Sequence, residues 1–179
     1  RLNAARMRAG DAMGVMYHVV SILGTYGHRS PTYFPSPQDV TQGNRDAWTM
    51  AEADQQRVRW YVTVNPNHTE HALAEIARGV ANGAVGVKLL ASRRADDPLN
   101  DPICELAAEH GLPILHHIWQ HRTREWPNQE ISDGADLARL AARHPRVAFI
   151  LAHLGGGGDW AHTMPAVVDT PNVHPDLSG

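Results

Sequence analysis

Apolar residues along this chain follow two alternating rhythms. Short, nearly continuous apolar runs lie at Gly14–Ile22 ("GVMYHVVSI"), Val58–Val64 ("VRWYVTV"), Val85–Leu90 ("VGVKLL"), Leu112–Ile118 ("LPILHHI"), Val147–His153 ("VAFILAH") and Val173–Leu177 ("VHPDL"). They are rich in β-branched residues and bounded by turn residues, which predicts strands. Between them the apolar positions return every three or four residues. Glu70–Asn82 places Leu73, Ile76, Ala77 and Val80 on one face, with Thr69 in position to cap it. Asp101–His110 gathers Ile103, Leu106 and Ala107, tolerates Pro102 in its first turn and stops at Gly111. Asp133–His144 gathers Leu137, Leu140 and Ala141 and closes at Pro145. The opening "RLNAARMRAGDAMG" also reads as helical. Most of these strands are nearly continuous in apolar residues while Val58–Val64 alternates, and their recurrence with helices between them predicts a parallel sheet covered by helices.

One stretch breaks the rhythm. Residues 25–54 are rich in Pro, Gly, Ser, Asn and Asp, with Tyr26, Tyr33, Phe34 and Trp48 interspersed. A long polar segment inside a compact domain is expected to be a functional insertion loop, here one covering a substrate.

A parallel βα chain leaves two architectures, an open doubly wound sheet or a closed (β/α)8 TIM barrel. No G-x-G-x-x-G follows a strand and no G-x-x-x-x-G-K-[ST] occurs, so the nucleotide-binding sheets lack their phosphate cradle. In a barrel, functional side chains stand at the C-terminal ends of strands. Two runs end in that way: "PILHH" finishes on His116-His117, and "FILAH" on His153 followed by Gly155–Gly158. A neutral imidazole there can ligate a divalent metal or carry a proton near neutral pH. A histidine ending an apolar strand can equally be a hydrogen-bonded core residue, and spacing alone does not separate the readings.

Composition narrows the partners. The 179 residues are 42% hydrophobic and 20% charged, with a formal net charge of -3 and no basic run. That gives no electrostatic case for nucleic acid or an anionic membrane surface. No apolar stretch approaches the ~20 residues of a membrane span. The single cysteine, Cys104, excludes an intrachain disulfide and reads as a buried helix residue. A small-molecule substrate and a cytoplasmic location are the expectations. The 12 histidines are many for a chain of this size. The chain opens inside a helical pattern and stops at "DLSG", so both ends read as points within a longer polypeptide.

The ordered set "GVKLLAS", "AAEHGLPILHH", "HPRVAFILAHLGGG" and "PNVHPDLSG" resembles the metal-dependent hydrolases of the amidohydrolase superfamily, in the amidohydrolase-related branch with aminocarboxymuconate-semialdehyde decarboxylase-like enzymes and several lactonases. The resemblance runs from about Gly10 to Gly179 and implies a (β/α)8 barrel whose second to seventh strands are present, an incomplete barrel of about six βα units. It implies His117 as a metal ligand and His153 as the catalytic histidine that holds or deprotonates the attacking water. Zinc is the expected divalent metal, with manganese the alternative. Lys88, Arg122 and Asp176 are the expected substrate contacts, and metal bridging by Lys88 is the weaker alternative. His116 is expected to point away from His117, since strand side chains alternate.

The family's first-strand H-x-H pair and eighth-strand aspartate are absent from these residues. The chain alone is therefore expected to bind metal poorly and to be inactive, its parent being the enzyme. Hydrolysis of a small carboxylate, lactone or amide is the expected reaction, with decarboxylation on the same scaffold as the alternative. Two further readings stay open: an open sheet holding an anionic cofactor at Gly155–Gly158, and a non-catalytic barrel relative serving as a binder. Unpaired strand edges make association between copies an expectation.

Overall fold

A computed structural model of the chain describes residues 4–23, 34–118, 132–153 and 160–177. Six strands, β1 (His18–Val20), β2 (Val58–Val64), β3 (Gly86–Leu89), β4 (Ile114–His116), β5 (Phe149–Leu151) and β6 (Val173–Pro175), form one sheet in sequential order. Every neighbouring pair is parallel. The helices are α1 (Ala4–Ala12), α2 (Pro37–Glu52), α3 (Thr69–Ala81), α4 (Asp101–Glu109), α5 (Gly134–Arg143) and α6 (Trp160–Val167). Sequential parallel strands joined through helices are the wall of a TIM barrel, here an incomplete one. No described helix is long and apolar enough to cross a membrane.

The core lies between the sheet and its helices. Val62, Val64, Val87, Leu89, Ile114, Phe149 and Leu151 are fully buried with Ala72 and Ile76 of α3, Ile103 and Ala107 of α4, and Leu137 and Leu140 of α5. These helix residues are three or four apart, as the sequence periodicity requires. Cys104 joins them, and burial pushes its thiol pKa up, so it is an inert packing residue. At the start of α5, Asp133 accepts bonds from the amides of Ala135 (2.9 Å) and Asp136 (3.1 Å), while its own amide donates to the Asp136 side chain (3.1 Å). This reciprocal cap fixes the helix entry.

Three elements differ from the sequence reading. The insertion loop expected at 25–54 contains a 16-residue helix, α2, and residues 24–33 lie outside the described residues. Ser36 caps α2 and Pro37 opens it, while Val40, Ala47 and Ala51 bury one narrow face. Helix α3 begins at Thr69 after a 3-10 turn, Pro66–His68, that Asn65 caps through the Asn67 amide (3.0 Å). Helix α6 has no strong apolar rhythm and carries Pro165 internally. It is held by tertiary packing, with Thr163 buried so close to Gly134 of α5 that a Cβ there would meet its methyl at 2.7 Å.

Candidate active face

Backbone pairing runs past the assigned strand ends and sets the site. The His117 amide donates to the Leu89 carbonyl (3.1 Å), the Ala152 amide to His116 (3.3 Å) and the Asp176 amide to Leu151 (2.9 Å). His117 and Asp176 are thereby fixed one residue beyond β4 and β6. Alternation does the rest. His116 is fully buried, with Nδ1 3.0 Å from the His117 carbonyl, and its Nε2 has no hydrogen-bond partner among the described residues. His117 turns the other way.

His153 follows β5 by two residues and has φ +60°, the one described non-glycine residue with positive φ. That left-handed backbone costs a non-glycine residue roughly 1 kcal/mol. The turn carries its ring to His117, with Nε2 of His153 3.2 Å from Nδ1 of His117 and ring centroids 4.8 Å apart, edge to face. Burial holds His116 down to about 4. Burial, with added repulsion from Lys88 and the neighbouring histidines, holds His117 down to about 3. His153 is also lowered, by burial and then by Lys88, against an opposing pull from Asp176. All three imidazoles are neutral at neutral pH, the form that ligates metal or accepts a proton.

Lys88 of β3 is 5% exposed and its charge acts on all three histidines. Desolvation lowers its pKa from the ordinary 10.5 to about 8, with Asp176 pulling it back up. The sign of the pH dependence follows. Between about pH 8 and 10.5 the unfolded chain binds the proton that the folded chain releases, so stability rises with pH across that window. Below it the full cost of the buried charge is felt, about 3 kcal/mol. Lys88→Met is expected to stabilise the metal-free protein by that order below pH 8 and to lose its advantage above pH 10.5. Urea unfolding of both proteins across pH 7 to 11 measures it, and equal midpoints at pH 7 would refute the buried charge.

Of the expected site residues, the structure thus brings together His117, His153, Lys88 and Asp176, while Arg122 and Gly155–Gly158 lie outside the described residues. Other histidines are elsewhere. His144 bonds Asp101 (2.7 Å), His162 bonds Asp133 (2.8 Å) and His71 bonds Thr41 (2.9 Å). His18 of β1 has a buried Nε2 against Gly10 with no hydrogen-bond partner among the described residues. On β2 the alternation of "VRWYVTV" puts Tyr61 and Thr63 on the face opposite Val62 and Val64.

Among the described residues no group of three His, Cys, Asp or Glu side chains is placed to hold a metal ion. The donor chemistry fits one edge of a metal site, a neutral buried histidine at a strand end with a second histidine against it. A catalytic zinc ordinarily takes three protein donors.

A family model described as Amidohydrolase matches residues 33–179. No curated protein matches. Solved structures do. A 2,6-dihydroxybenzoate decarboxylase from Rhizobium superposes with TM-score 0.71 at 16% identity, covering 98% of this chain and 69% of that one. A 5-carboxyvanillate decarboxylase from Novosphingobium aromaticivorans, complexed with manganese and a nitrobenzoic acid, gives 0.68 at 20% identity, covering 94% and 52%. An uncharacterised TIM-barrel protein from Bordetella bronchiseptica gives 0.69 at 14% identity, covering 95% of this chain and 57% of its own. At these identities the likeness is one of fold, and the chain spans between about half and two-thirds of these barrels.

Proposed function

The chain belongs to the amidohydrolase family, and from that premise we propose that it carries the central wall of the active face of a divalent-metal enzyme acting on a small carboxylate-bearing molecule. The observation that carries this reading is the contact between His117 and His153 at 3.2 Å, made from two strand ends 36 positions apart. In our assignment His117 donates its Nδ1 proton to Nε2 of His153, the tautomer in which Nε2 of His117 is the nitrogen for the metal. The ion would supply Lewis acidity at the substrate oxygen and the attacking water. Manganese in the carboxyvanillate enzyme makes it as good a candidate as zinc.

Hydrolysis is the reaction these residues favour. A neutral His153 would accept the proton of the attacking water at Nε2, where that water would take the place of the His117 Nδ1–H donor, and return it to the leaving group. Lys88, Arg122 and Asp176 are the proposed substrate contacts, Lys88 holding a carboxylate that stays on the substrate. Decarboxylation is the second reading, supported by the activities named for two of the barrels sharing this fold. There a proton must reach the carbon that loses its carboxylate, and the carbon–carbon pair stays on that carbon as carbon dioxide leaves. Turnover in 18O-water separates the two, since only hydrolysis puts the label into the organic product.

The metal assignment has its own test. His117→Ala in the intact protein is expected to retain less than about a tenth of the wild-type metal after dialysis, as second-sphere changes alone already cost 10–100-fold in affinity. Atomic emission measures the content, and a variant that keeps its metal would refute the assignment.

A further inference from the structure

Strand β4 carries one polar ring on its core side. Register places His116 between Leu89 of β3 and Leu151 of β5, both fully buried, with buried Val64 next to Leu89. Residues in register on parallel strands present their side chains to the same face. The His116 ring therefore stands in an apolar row, and it has no exposure to solvent. Its Nε2 has no hydrogen-bond partner among the described residues. A polar atom buried without a partner opposes folding. A leucine at 116 would fill the row, as Leu89 and Leu151 do beside it, without that cost. The reason for an imidazole lies in its other nitrogen.

That nitrogen, Nδ1, is 3.0 Å from the His117 carbonyl oxygen. A carbonyl oxygen only accepts, so Nδ1 carries the proton and Nε2 is the bare nitrogen. The bond fills a place in the ladder between β3 and β4. There the Val87 amide donates to the Pro113 carbonyl (2.9 Å) and the His117 amide to the Leu89 carbonyl (3.1 Å). Parallel ladders repeat evenly, so the His117 carbonyl would next accept from the Ala91 amide. Strand β3 ends at Leu89, however, and the chain turns at Ala91. The His116 ring donates to that carbonyl instead. On the other side, the Ala152 amide of the chain leaving β5 holds the His116 carbonyl (3.3 Å).

We propose that His116 is a positioning residue for the metal: its Nδ1–H fixes the His117 peptide where strand β3 stops holding it, and so sets the direction in which His117 offers Nε2 to the ion. This inference rests on the reading of His117 as a metal ligand and adds the residue that orients it. His116 faces the core and acts only through its neighbour. A ligand held in place before the ion arrives loses little freedom on binding, so the bond acts on metal affinity.

The test is calorimetric titration of the intact, metal-free protein with manganese in wild type, His116→Leu and His116→Asn. Leucine fills the row but donates nothing. Asparagine sets its Nδ2 donor near the place of the histidine Nδ1. His116→Leu is expected to bind manganese about tenfold or more weakly, and His116→Asn to stay within about threefold of wild type. The urea midpoints of the metal-free variants are expected in the opposite order, Leu above Asn, because Asn leaves a void in the row. A ring that only packs the core would leave manganese affinity unmoved in a folded variant. Wild-type affinity in His116→Leu overturns the proposal, as does His116→Asn binding as weakly as His116→Leu. Should His116→Leu fail to fold, His116→Gln takes its place, since the longer side chain carries its amide past the carbonyl to the place of Nε2. Metal content separates this proposal from the reading beneath it. If His117→Ala keeps its metal, both fall. If His117→Ala loses its metal while His116→Leu binds as wild type does, His117 remains the ligand and only the role of His116 falls.

Discussion

Replacing His153 by Gln is expected to lower kcat of the metal-loaded enzyme by about 10²- to 10⁴-fold, the range a positioned general base contributes. Glutamine keeps an amide able to hydrogen-bond near His117 but has no basic nitrogen at neutral pH. Metal content should therefore stay at the wild-type level, and KM should move far less than kcat. The left-handed backbone at residue 153 needs a control, because His tolerates φ +60° better than Gln does and the variant bears added backbone strain. Its urea midpoint, measured beside the kinetics, separates that strain from the loss of the ring. Steady-state kinetics beside atomic emission is the check. A fall of less than about tenfold would mean that the proton is carried elsewhere.

The second large effect is on stability and lies outside the site. Strand β1 pairs only with Val58–Trp60, which leaves the upper edge of β2 without a strand neighbour among the described residues. Asn44 of α2 fills that place. Its Oδ1 accepts from the Thr63 amide (2.8 Å) and its Nδ2 donates to the Thr63 carbonyl (2.9 Å), as a peptide group on an adjoining strand would. The same Nδ2 donates to Oε2 of buried Glu75 (2.7 Å), whose other oxygen takes bonds from Thr41 and Arg78, both at 2.7 Å. Asn44→Ala strips partners from two backbone groups and one carboxylate oxygen at once. At roughly 1–3 kcal/mol for each buried group left unsatisfied, a loss of about 4 kcal/mol is expected. That is a large part of the ~5–15 kcal/mol that holds an ordinary domain together. Asn44→Asp should do at least as much harm, because it keeps the acceptor for the Thr63 amide but sets a second carboxylate against Glu75. The urea midpoint reads both. A shift in Asn44→Ala no larger than that of a surface substitution would show that water replaces the amide. In that event the strand-edge role of Asn44 would be wrong.

This bridge also shows why α2 escaped the sequence. "SPQDVTQGNRDAWTMAE" is polar in most positions, and some of its polar residues are buried for a reason outside the segment, Asn44 to complete β2 and Asp39 beside the Ser36 cap. Hydrophobic rhythm is a record of burial only where burial is apolar. Where a helix buries amides and carboxylates, the rhythm fades although the helix is well held.

The sequence by itself determined the β and α alternation, the positions of β2 and of helices α3 to α5 to within a residue or two, and the outward turn of His116 beside the inward turn of His117. Those properties follow from local periodicity, since side-chain direction on a strand or helix depends on position along one element alone. Family membership was legible for a related reason, because its motifs sit at strand ends whose order the chain preserves. Only the tertiary structure decided what meets across elements. The 3.2 Å approach of His153 to His117 depends on a left-handed turn after β5. The place of His116 between Leu89 and Leu151 depends on strand register, and the Asn44 bridge on where β1 stops. These are distances between segments remote in sequence, set by how helices and sheet pack together, and no single segment encodes them.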